Sequence, residues 1–241
     1  MVYLGLVSPS EPAEAPPSGA VRVAVADRRA RRRQEGHDRV YTAAVELFIE
    51  RGFDATTMDD IADRADVARA TVFNYFQRKT AFLDQWAAIR RQKATAAVRR
   101  HRLDEHALPE QLARYMIELA RLSTRARAET VALMGAAIHT TNVLGNPHLA
   151  HQMASFIARA QAAGDVRADV EPEMAGTLVA TGYFAVLSQW ISAEPAPFDL
   201  QDRLLQMIEL LCTGVITAQA DSPFTNRKPT RRQDRQNNRD G

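Results

Sequence analysis

Apolar residues recur along most of the chain at the three- and four-residue spacing that places them on one face of an α-helix. The first clear example runs from Val40 to Phe48, and Gly52 predicts where that helix ends. No segment alternates apolar and polar residues over several successive positions, as a half-buried strand does. The pattern therefore predicts an all-α fold.

Capping residues, glycines and prolines divide the rest of the pattern into further helices. Thr57 is a predicted N-cap, and Asp59 and Asp60 lie in the first turn of its helix, where the helix dipole favours acidic side chains. Pro109 suits the first turn of a later helix, and Gly164 suits the end of another. Further helices are expected at about 68–75, 79–101, 109–122, 128–139, 147–163, 172–192 and 198–218.

Changes in composition predict two helical domains between two disordered ends. Residues 1–26 are a predicted disordered leader, and residues 221–241 are a predicted disordered basic tail. Both segments have too few large apolar residues to bury a core. Residues 27–86 are expected to form a small helical domain, and residues 87–220 a larger one.

The overall composition is that of a soluble globular protein, with 46% hydrophobic and 25% charged residues. No apolar run approaches the roughly 18 residues that span a bilayer, and the first residues lack the basic start of a signal peptide. Cys212 is the only cysteine, so an internal disulfide is not possible. These observations predict a cytoplasmic protein without a membrane partner.

The net charge of +2 is distributed unevenly along the chain. Residues 22–102 carry 18 Lys or Arg against 11 Asp or Glu, whereas residues 103–220 carry 7 against 13. A basic N-terminal part favours a polyanionic partner such as nucleic acid. The alternative, charge that merely varies along solvated helices, stays open at this point.

Residues 57–76 have the pattern of two short helices joined by a tight turn. Ala62 and Ala65 are small enough to let the two helices approach closely where they cross. Asp66 falls in the turn, where a left-handed backbone is expected and aspartate tolerates it better than most residues. Val72 and Phe76 are predicted to point inward. The segment is therefore a candidate helix-turn-helix.

The second helix of this motif has features that stability alone does not explain. It exposes the aromatic residues Phe73 and Tyr75 next to basic residues, and Arg69 occupies a first turn where the helix dipole favours an anion. Both features are understandable if phosphates and base edges lie opposite, because a helix-turn-helix inserts its second helix into the major groove. An ordinary helical corner without DNA is the less favoured alternative.

The stretch Val40–Trp86 resembles the DNA-binding domain of the TetR family of repressors. The matching residues are Ala44, Leu47, Phe48, Gly52, Phe53, Thr56, Thr57, Ile61, Ala62, Ala65, Val67, Thr71, Val72, Phe73, Asn74, Tyr75, Phe76, Lys79 and Leu83. The resemblance implies that Thr71, Phe73, Tyr75 and Lys79 meet the DNA backbone. It also implies that Arg69, Ala70 and Asn74 lie near bases, and Thr57 completes the predicted DNA-binding set.

Several positions depart from the usual pattern of that family. Asp66 replaces the usual turn glycine, and Phe73 replaces a frequent tyrosine, so a hydroxyl contact is lost there. Ala68 replaces the usual Ser or Thr cap, at an expected cost of roughly 0.5–2 kcal/mol. The basic run Arg28–Arg33 lies just before the predicted first helix. It is expected to act as an arm that lies on phosphates or enters the minor groove, and a solvated charge cluster is the alternative.

The resemblance also implies the roles of the larger domain. Its last two helices are expected to pair with those of a second subunit, although an intramolecular core is the alternative. The predicted dimer-interface residues are Leu187, Trp190, Leu204, Leu205 and Ile208. A small, largely apolar effector of unknown identity is expected among the central helices, although core packing is again the alternative. The candidate pocket residues are Met116, Met134, His139, Met153, Phe156 and Tyr183.

Two other function classes are alternatives to a regulator. An enzyme is disfavoured because the chain lacks the catalytic and nucleotide-binding motifs, and His148 and His151 have no third metal ligand nearby in sequence. No cofactor, metal site or catalytic residue is therefore predicted. An architectural DNA binder shares the same motif. The favoured hypothesis is a ligand-responsive repressor that binds a palindromic operator as a homodimer; repression is adopted as the family's commoner mode.

Overall fold

The computed structural model describes residues 18–100, 106–140 and 147–213, with side chains described over 27–100, 106–138 and 147–213. These residues form nine α-helices and no strand, so the predicted all-α fold is confirmed. The helices are α1 (Ser18–Arg51), α2 (Met58–Arg64), α3 (Arg69–Tyr75), α4 (Thr80–Arg100), α5 (Leu108–Arg125), α6 (Arg127–Thr140), α7 (Pro147–Ala163), α8 (Pro172–Ile191) and α9 (Leu200–Thr213). The predicted tail at 221–241 lies outside the described residues.

The ends of the helices follow the punctuation of the sequence. Gly52 and Gly164 adopt φ values of +85° and +88° directly after α1 and α7, the left-handed conformation that glycine enters without steric cost. Proline stands in the first turn of α5 and of α8, where its missing N–H costs no helical hydrogen bond. The helix limits that these residues predicted are confirmed.

The first helix begins earlier than the sequence predicted. The backbone is already helical at Ser18, so the helix covers part of the predicted leader 1–26 and the whole basic run Arg28–Arg33. That run is therefore not an arm in front of the first helix. Alanine and arginine have high helix propensity, and the segment between Gly19 and Gly36 contains no helix breaker.

We call residues 27–86 the head and residues 87–213 the body. The head packs α2, α3 and the second half of α1 around a core rich in phenylalanine. The ring centroids of Phe76 and Phe82 lie 4.0 Å apart, and those of Phe48 and Phe82 lie 5.9 Å apart. Ile61 and Val72 are completely buried in the same core. Because Phe82 belongs to α4, this helix is part of the head at its start and part of the body further on.

The body is a bundle in which α7 and α8 approach most closely. A Cβ atom on Gly176 would lie 2.5 Å from the carbonyl oxygen of Ala150 and 2.6 Å from the amide nitrogen of Ala154. Only glycine fits at this helix crossing, because both neighbours are backbone atoms that cannot move aside. The body core around it is built from alanine, leucine and methionine side chains.

A buried polar cluster joins head and body along α4. The Trp86 indole N–H donates to Glu129 of α6 at 2.7 Å, and the Arg90 guanidinium lies over the Trp86 ring at 4.2 Å. Arg90 also donates to Ser123 Oγ at 3.1 Å and to Thr130 Oγ1 at 2.9 Å. Burial lowers the pKa of Arg90, and nearby Glu129 is among the groups that oppose this shift. The cluster thus fixes α4 against α5 and α6.

The predicted dimer-interface residues lie mostly inside the protomer, which corrects that prediction. Leu187, Trp190, Leu204 and Ile208 are each at most 3% exposed, because α8 packs on α7 and α9 packs on α5 within one chain. Leu205 alone is half-buried. Helix α8 has the length and composition of a membrane-spanning helix, yet these internal contacts make it a helix of the bundle.

Candidate DNA-binding surface

The start of α2 is fixed by a capping box. Thr57 Oγ1 accepts from the Asp60 amide at 3.1 Å, and Asp60 Oδ2 accepts from the Thr57 amide at 2.8 Å. The Thr57 hydroxyl also donates to Asp60 Oδ2 at 2.6 Å. These hydrogen bonds hold the pKa of Asp60 below its usual value. The predicted cap is confirmed, and the Thr57 side chain is engaged with its own helix.

The turn between α2 and α3 has the geometry that the sequence predicted. Asp66 has a φ of +50°, the left-handed conformation. The Val67 amide reaches back to the Ala62 carbonyl at 3.1 Å and closes the turn. Ala68 is the N-cap of α3 and supplies no side-chain hydrogen bond, so the first amides of α3 lack a side-chain cap.

Helix α3 packs on the head core with one face and exposes the opposite face to solvent. Val72 is fully buried, and Phe76 directly after the helix is 3% exposed, so these two residues anchor α3 on the head core. The opposite side carries the predicted DNA-reading residues. Arg69, Ala70, Phe73 and Asn74 are exposed, and Thr71 and Tyr75 are half-buried. The structure therefore brings six of the eight predicted DNA-binding residues onto one short helix.

Arg69 is held in place by two neighbours. Its guanidinium donates to Asp59 Oδ2 at 3.0 Å and lies 5.5 Å from the centroid of the Phe73 ring. Both the guanidinium and the carboxylate are largely exposed, so the pair is weak and exchangeable. Arg69 can therefore leave Asp59 for a phosphate or a guanine edge. Sequence reasoning missed this partner.

Tyr75 depends on a glycine in α1. A Cβ atom on Gly36 would lie 2.6 Å from the Tyr75 hydroxyl oxygen. The Tyr75 ring also meets His37 edge-on, with the ring centroids 5.7 Å apart. The end of the recognition helix is thus packed against α1, and the basic run Arg28–Arg33 begins one turn further along α1 towards the N-terminus.

Lys79 contacts backbone carbonyl oxygens of the head, which the resemblance did not imply. Its ammonium donates to the carbonyl oxygens of Phe53 at 2.6 Å, Thr56 at 2.9 Å and Asp54 at 3.3 Å. It also lies 4.5 Å from the centroid of the Phe53 ring. Three acceptors occupy the three N–H donors of a lysine. Lys79 therefore holds the loop between α1 and α2; it is half-buried, and its contact with the DNA backbone stays a prediction.

The predicted effector-pocket residues lie in the body core. Met116, Met134, Met153, Phe156 and Tyr183 are at most 4% exposed. Within the described part of the chain, none of them lines the cavities of about 790, 720 and 430 Å³. The side chain of His139, the sixth candidate, lies outside the described residues.

Comparison with known proteins identifies the head. Residues 40–85 match the model of bacterial regulatory proteins of the tetR family. Residues 40–85 are therefore similar to the DNA-binding domain of that family. The regulator YdeS of Bacillus subtilis is 44% identical over 57 residues, which are 23% of this chain and 29% of YdeS. The transcriptional activator FasR of Mycolicibacterium smegmatis is 40% identical over 63 residues, 25% of this chain and 29% of FasR. The chain thus spans less than a third of each of these relatives.

One solved TetR-family structure covers both head and body. FadR of Thermus thermophilus, a transcriptional repressor in complex with lauroyl-CoA, is 28% identical and has a TM-score of 0.60. The alignment covers 78% of this chain and 98% of FadR. The expected architecture, an N-terminal helix-turn-helix domain followed by a larger helical domain, is therefore confirmed. The proteins that these comparisons name are transcriptional regulators.

Proposed function

We propose that this protein is a homodimeric transcriptional repressor that reads a palindromic operator with α3 and releases it on binding a long-chain acyl-CoA. The observation that carries the DNA-binding part is the outward face of α3, anchored by Val72 and Phe76 in a TetR-type head. Arg69 and Asn74 on that face supply the guanidinium and amide groups that discriminate bases in the major groove. A cytoplasmic location follows from that role.

A revised dimer surface follows from the burial of the residues first predicted. Met174 and Leu178 of α8 are 57% and 55% exposed, and Leu210 and Leu211 of α9 are 54% and 44% exposed. Leu178 and Leu211 also line the apolar cavity of about 790 Å³. Exposed apolar side chains on two adjacent helices need a cover in water. We assign a second copy of the chain to this surface, since a twofold protein matches a palindromic operator.

The proposed effector class rests on the body. FadR of Thermus thermophilus, one solved structure whose alignment covers 78% of this chain, was determined with lauroyl-CoA. The interior of the body holds Met116, Met134 and Met153, unbranched side chains that repack easily around an apolar ligand. We place the acyl chain in this interior, which agrees with the apolar effector expected from the sequence.

Binding to the DNA that flanks the protein's own gene tests the proposed function. Wild-type protein is compared on this DNA and on scrambled DNA of equal length, over a salt series, with and without dodecanoyl-CoA. A preference of about a thousandfold and its loss with dodecanoyl-CoA are expected. Equal, weak binding to both DNAs would favour an architectural DNA binder instead.

A double variant tests the dimer surface separately. Met174→Asp/Leu210→Asp is expected to sediment as a monomer, because two carboxylates enter an apolar contact on each side. Val131→Asp on α6 is the control, since Val131 is also exposed and apolar but lies outside α8 and α9. A dimeric double variant would contradict this assignment.

A further inference from the structure

A groove of about 720 Å³ runs along α4 in the body. Arg91, Thr95, Arg99 and Arg100 form its α4 wall at helical spacing, and Gln152 of α7 lines it from a different helix. Arg99 lies eight positions after Arg91, which is about 12 Å along a helix. The groove is therefore long enough to contact several charged groups of one ligand.

The charges in this groove are all positive. Its lining contains three arginines and no aspartate or glutamate. Within the described residues, Arg91, Arg99 and Arg100 form no ion pair, whereas Arg64 and Arg121 do. Burial lowers the pKa of Arg91, so its charge is already partly removed from water without a carboxylate in contact. Such an arrangement is stabilised by an anion.

Two described carboxylates attract arginines of the groove, and both are hydrogen-bonded to other arginines. Asp84 attracts Arg91 from a distance, but it accepts a hydrogen bond from Arg78 at 3.1 Å. Glu118 attracts Arg100 in the same way, but its carboxylate is held by Arg121 through two hydrogen bonds. Neither of these two carboxylates lines the groove, and no other carboxylate does so among the described residues.

Apolar side chains lie directly behind the groove. Tyr115 of α5 is close enough to Arg91 for that charge to oppose the rise in the pKa of Tyr115 that burial causes. The ring centroids of Tyr115 and Phe156 are 5.9 Å apart, and Met153, which follows Gln152, is fully buried. This arrangement matches a ligand with phosphates at one end and a hydrocarbon chain at the other. The phosphates would contact the arginines, and the hydrocarbon chain would contact the apolar side chains.

We propose that the α4 groove binds the phosphate-bearing nucleotide end of an acyl-CoA, with Arg91, Arg99 and Arg100 as the phosphate ligands. Guanidinium groups bind phosphate oxygens through paired, charge-assisted hydrogen bonds. The diphosphate and the 3′-phosphate of coenzyme A supply separate anionic groups along the groove. This assignment deepens the proposed function and rests on its effector class.

Calorimetry with three probes tests the groove without DNA. The probes are dodecanoyl-CoA, coenzyme A without an acyl chain, and dodecanoate. Arg99→Gln/Arg100→Gln is the test variant, because both side chains are exposed and the fold does not depend on them. Lys93→Gln/Arg125→Gln is the matched control, which removes two exposed positive charges that do not line the groove.

The test variant is expected to bind dodecanoyl-CoA at least tenfold more weakly than wild type and to lose coenzyme A binding. The control is expected to stay within twofold of wild type, and dodecanoate is expected to bind all three proteins equally. Equal dodecanoyl-CoA affinity in both double variants would overturn the proposal. A parallel loss of dodecanoate binding in the test variant would overturn it too, because the arginines would then act on the apolar end or on the fold.

Operator binding separates this proposal from the proposed function. Without effector, the test variant is expected to bind operator within twofold of wild type, since the groove is not a DNA contact; a large loss would assign the arginines to DNA and overturn the proposal. If dodecanoyl-CoA releases wild type and test variant from operator at the same concentration, the proposed repressor function is supported and the proposed role of the groove is contradicted. If wild type binds operator but no coenzyme A derivative, the proposed effector class and the proposed role of the groove are both contradicted.

Discussion

Head and body use different kinds of core. In the head, the ring of Phe82 contacts the rings of both Phe48 and Phe76. In the body, methionine, leucine and alanine side chains fill most of the interior. The head is built to hold one geometry, whereas the body core can repack. A rigid reader joined to an adaptable sensor suits a ligand-responsive regulator.

The largest expected effect comes from removing a ring of the head core. Phe82→Ala should destabilise the protein by about 3–5 kcal/mol, because a fully buried ring is replaced by a cavity. Hydrogen exchange measured by mass spectrometry should accelerate most in α2 and α3 and least in α7 and α8. Equal acceleration in all helices would mean that head and body unfold as one unit and would remove the contrast between them.

A smaller effect is expected from Lys79, and it decides between two roles of that residue. Lys79→Met should cost about 1–3 kcal/mol, because three carbonyl oxygens of the loop after α1 lose their donor. The slope of operator affinity against salt should remain as in wild type. Lys93→Met is the control for loss of an exposed lysine on α4. Unchanged stability together with a slope reduced by about 0.9 would instead make Lys79 a phosphate contact.

The capping box gives the next effect in size. Thr57→Ala should lower stability by about 0.5–2 kcal/mol, because the Asp60 amide loses its side-chain acceptor. Thr57→Ser keeps the hydroxyl and should restore most of the loss. Thermal unfolding monitored by circular dichroism measures both variants. Equal losses in Ala and Ser would assign the effect to the Thr57 methyl group instead of the cap.

The smallest effect is expected in the body core. Met153→Leu should change stability by less than about 1.5 kcal/mol, because the two side chains have similar volumes and the body repacks. Its affinity for dodecanoyl-CoA should nevertheless fall, since a branched side chain adapts less well to an acyl chain. Calorimetric binding and thermal unfolding are measured on the same sample. A large loss of stability would show that the body is packed as tightly as the head.

Local signals in the sequence predicted local structure well. Asp66 in the turn, Thr57 at the cap and the two glycines after α1 and α7 each act on their own few residues, so their identity was sufficient. The apolar faces of α8 and α9 were also recognisable. The residues Leu187 and Leu204 were nevertheless assigned to the wrong partner, because periodicity indicates that a face is covered and not which chain covers it.

Long-range contacts to the backbone were not predictable in the same way. Lys79 binds carbonyl oxygens 23 to 26 residues earlier in the chain. Every residue has a backbone carbonyl, so the sequence does not show which of them a lysine binds. The fit of Tyr75 to Gly36 had a weak signal, since a glycine inside a helix often marks a close approach. The α4 groove required the structure, because its distinguishing feature is a lining with three arginines and no carboxylate among the described residues.

The continuity of α4 gives this molecule a mechanical property. Its 21 residues extend about 30 Å, from Thr80 beside the recognition helix to Arg100 at the far end of the groove. A rod of that length is a lever arm: a tilt of about 5° about one end moves the other end by about 2.6 Å. Hydrogen bonds to bases are formed over a range of only about 0.5 Å. A displacement too small to disturb the packing at the pivot would therefore be enough to take the reading helix out of register with its DNA.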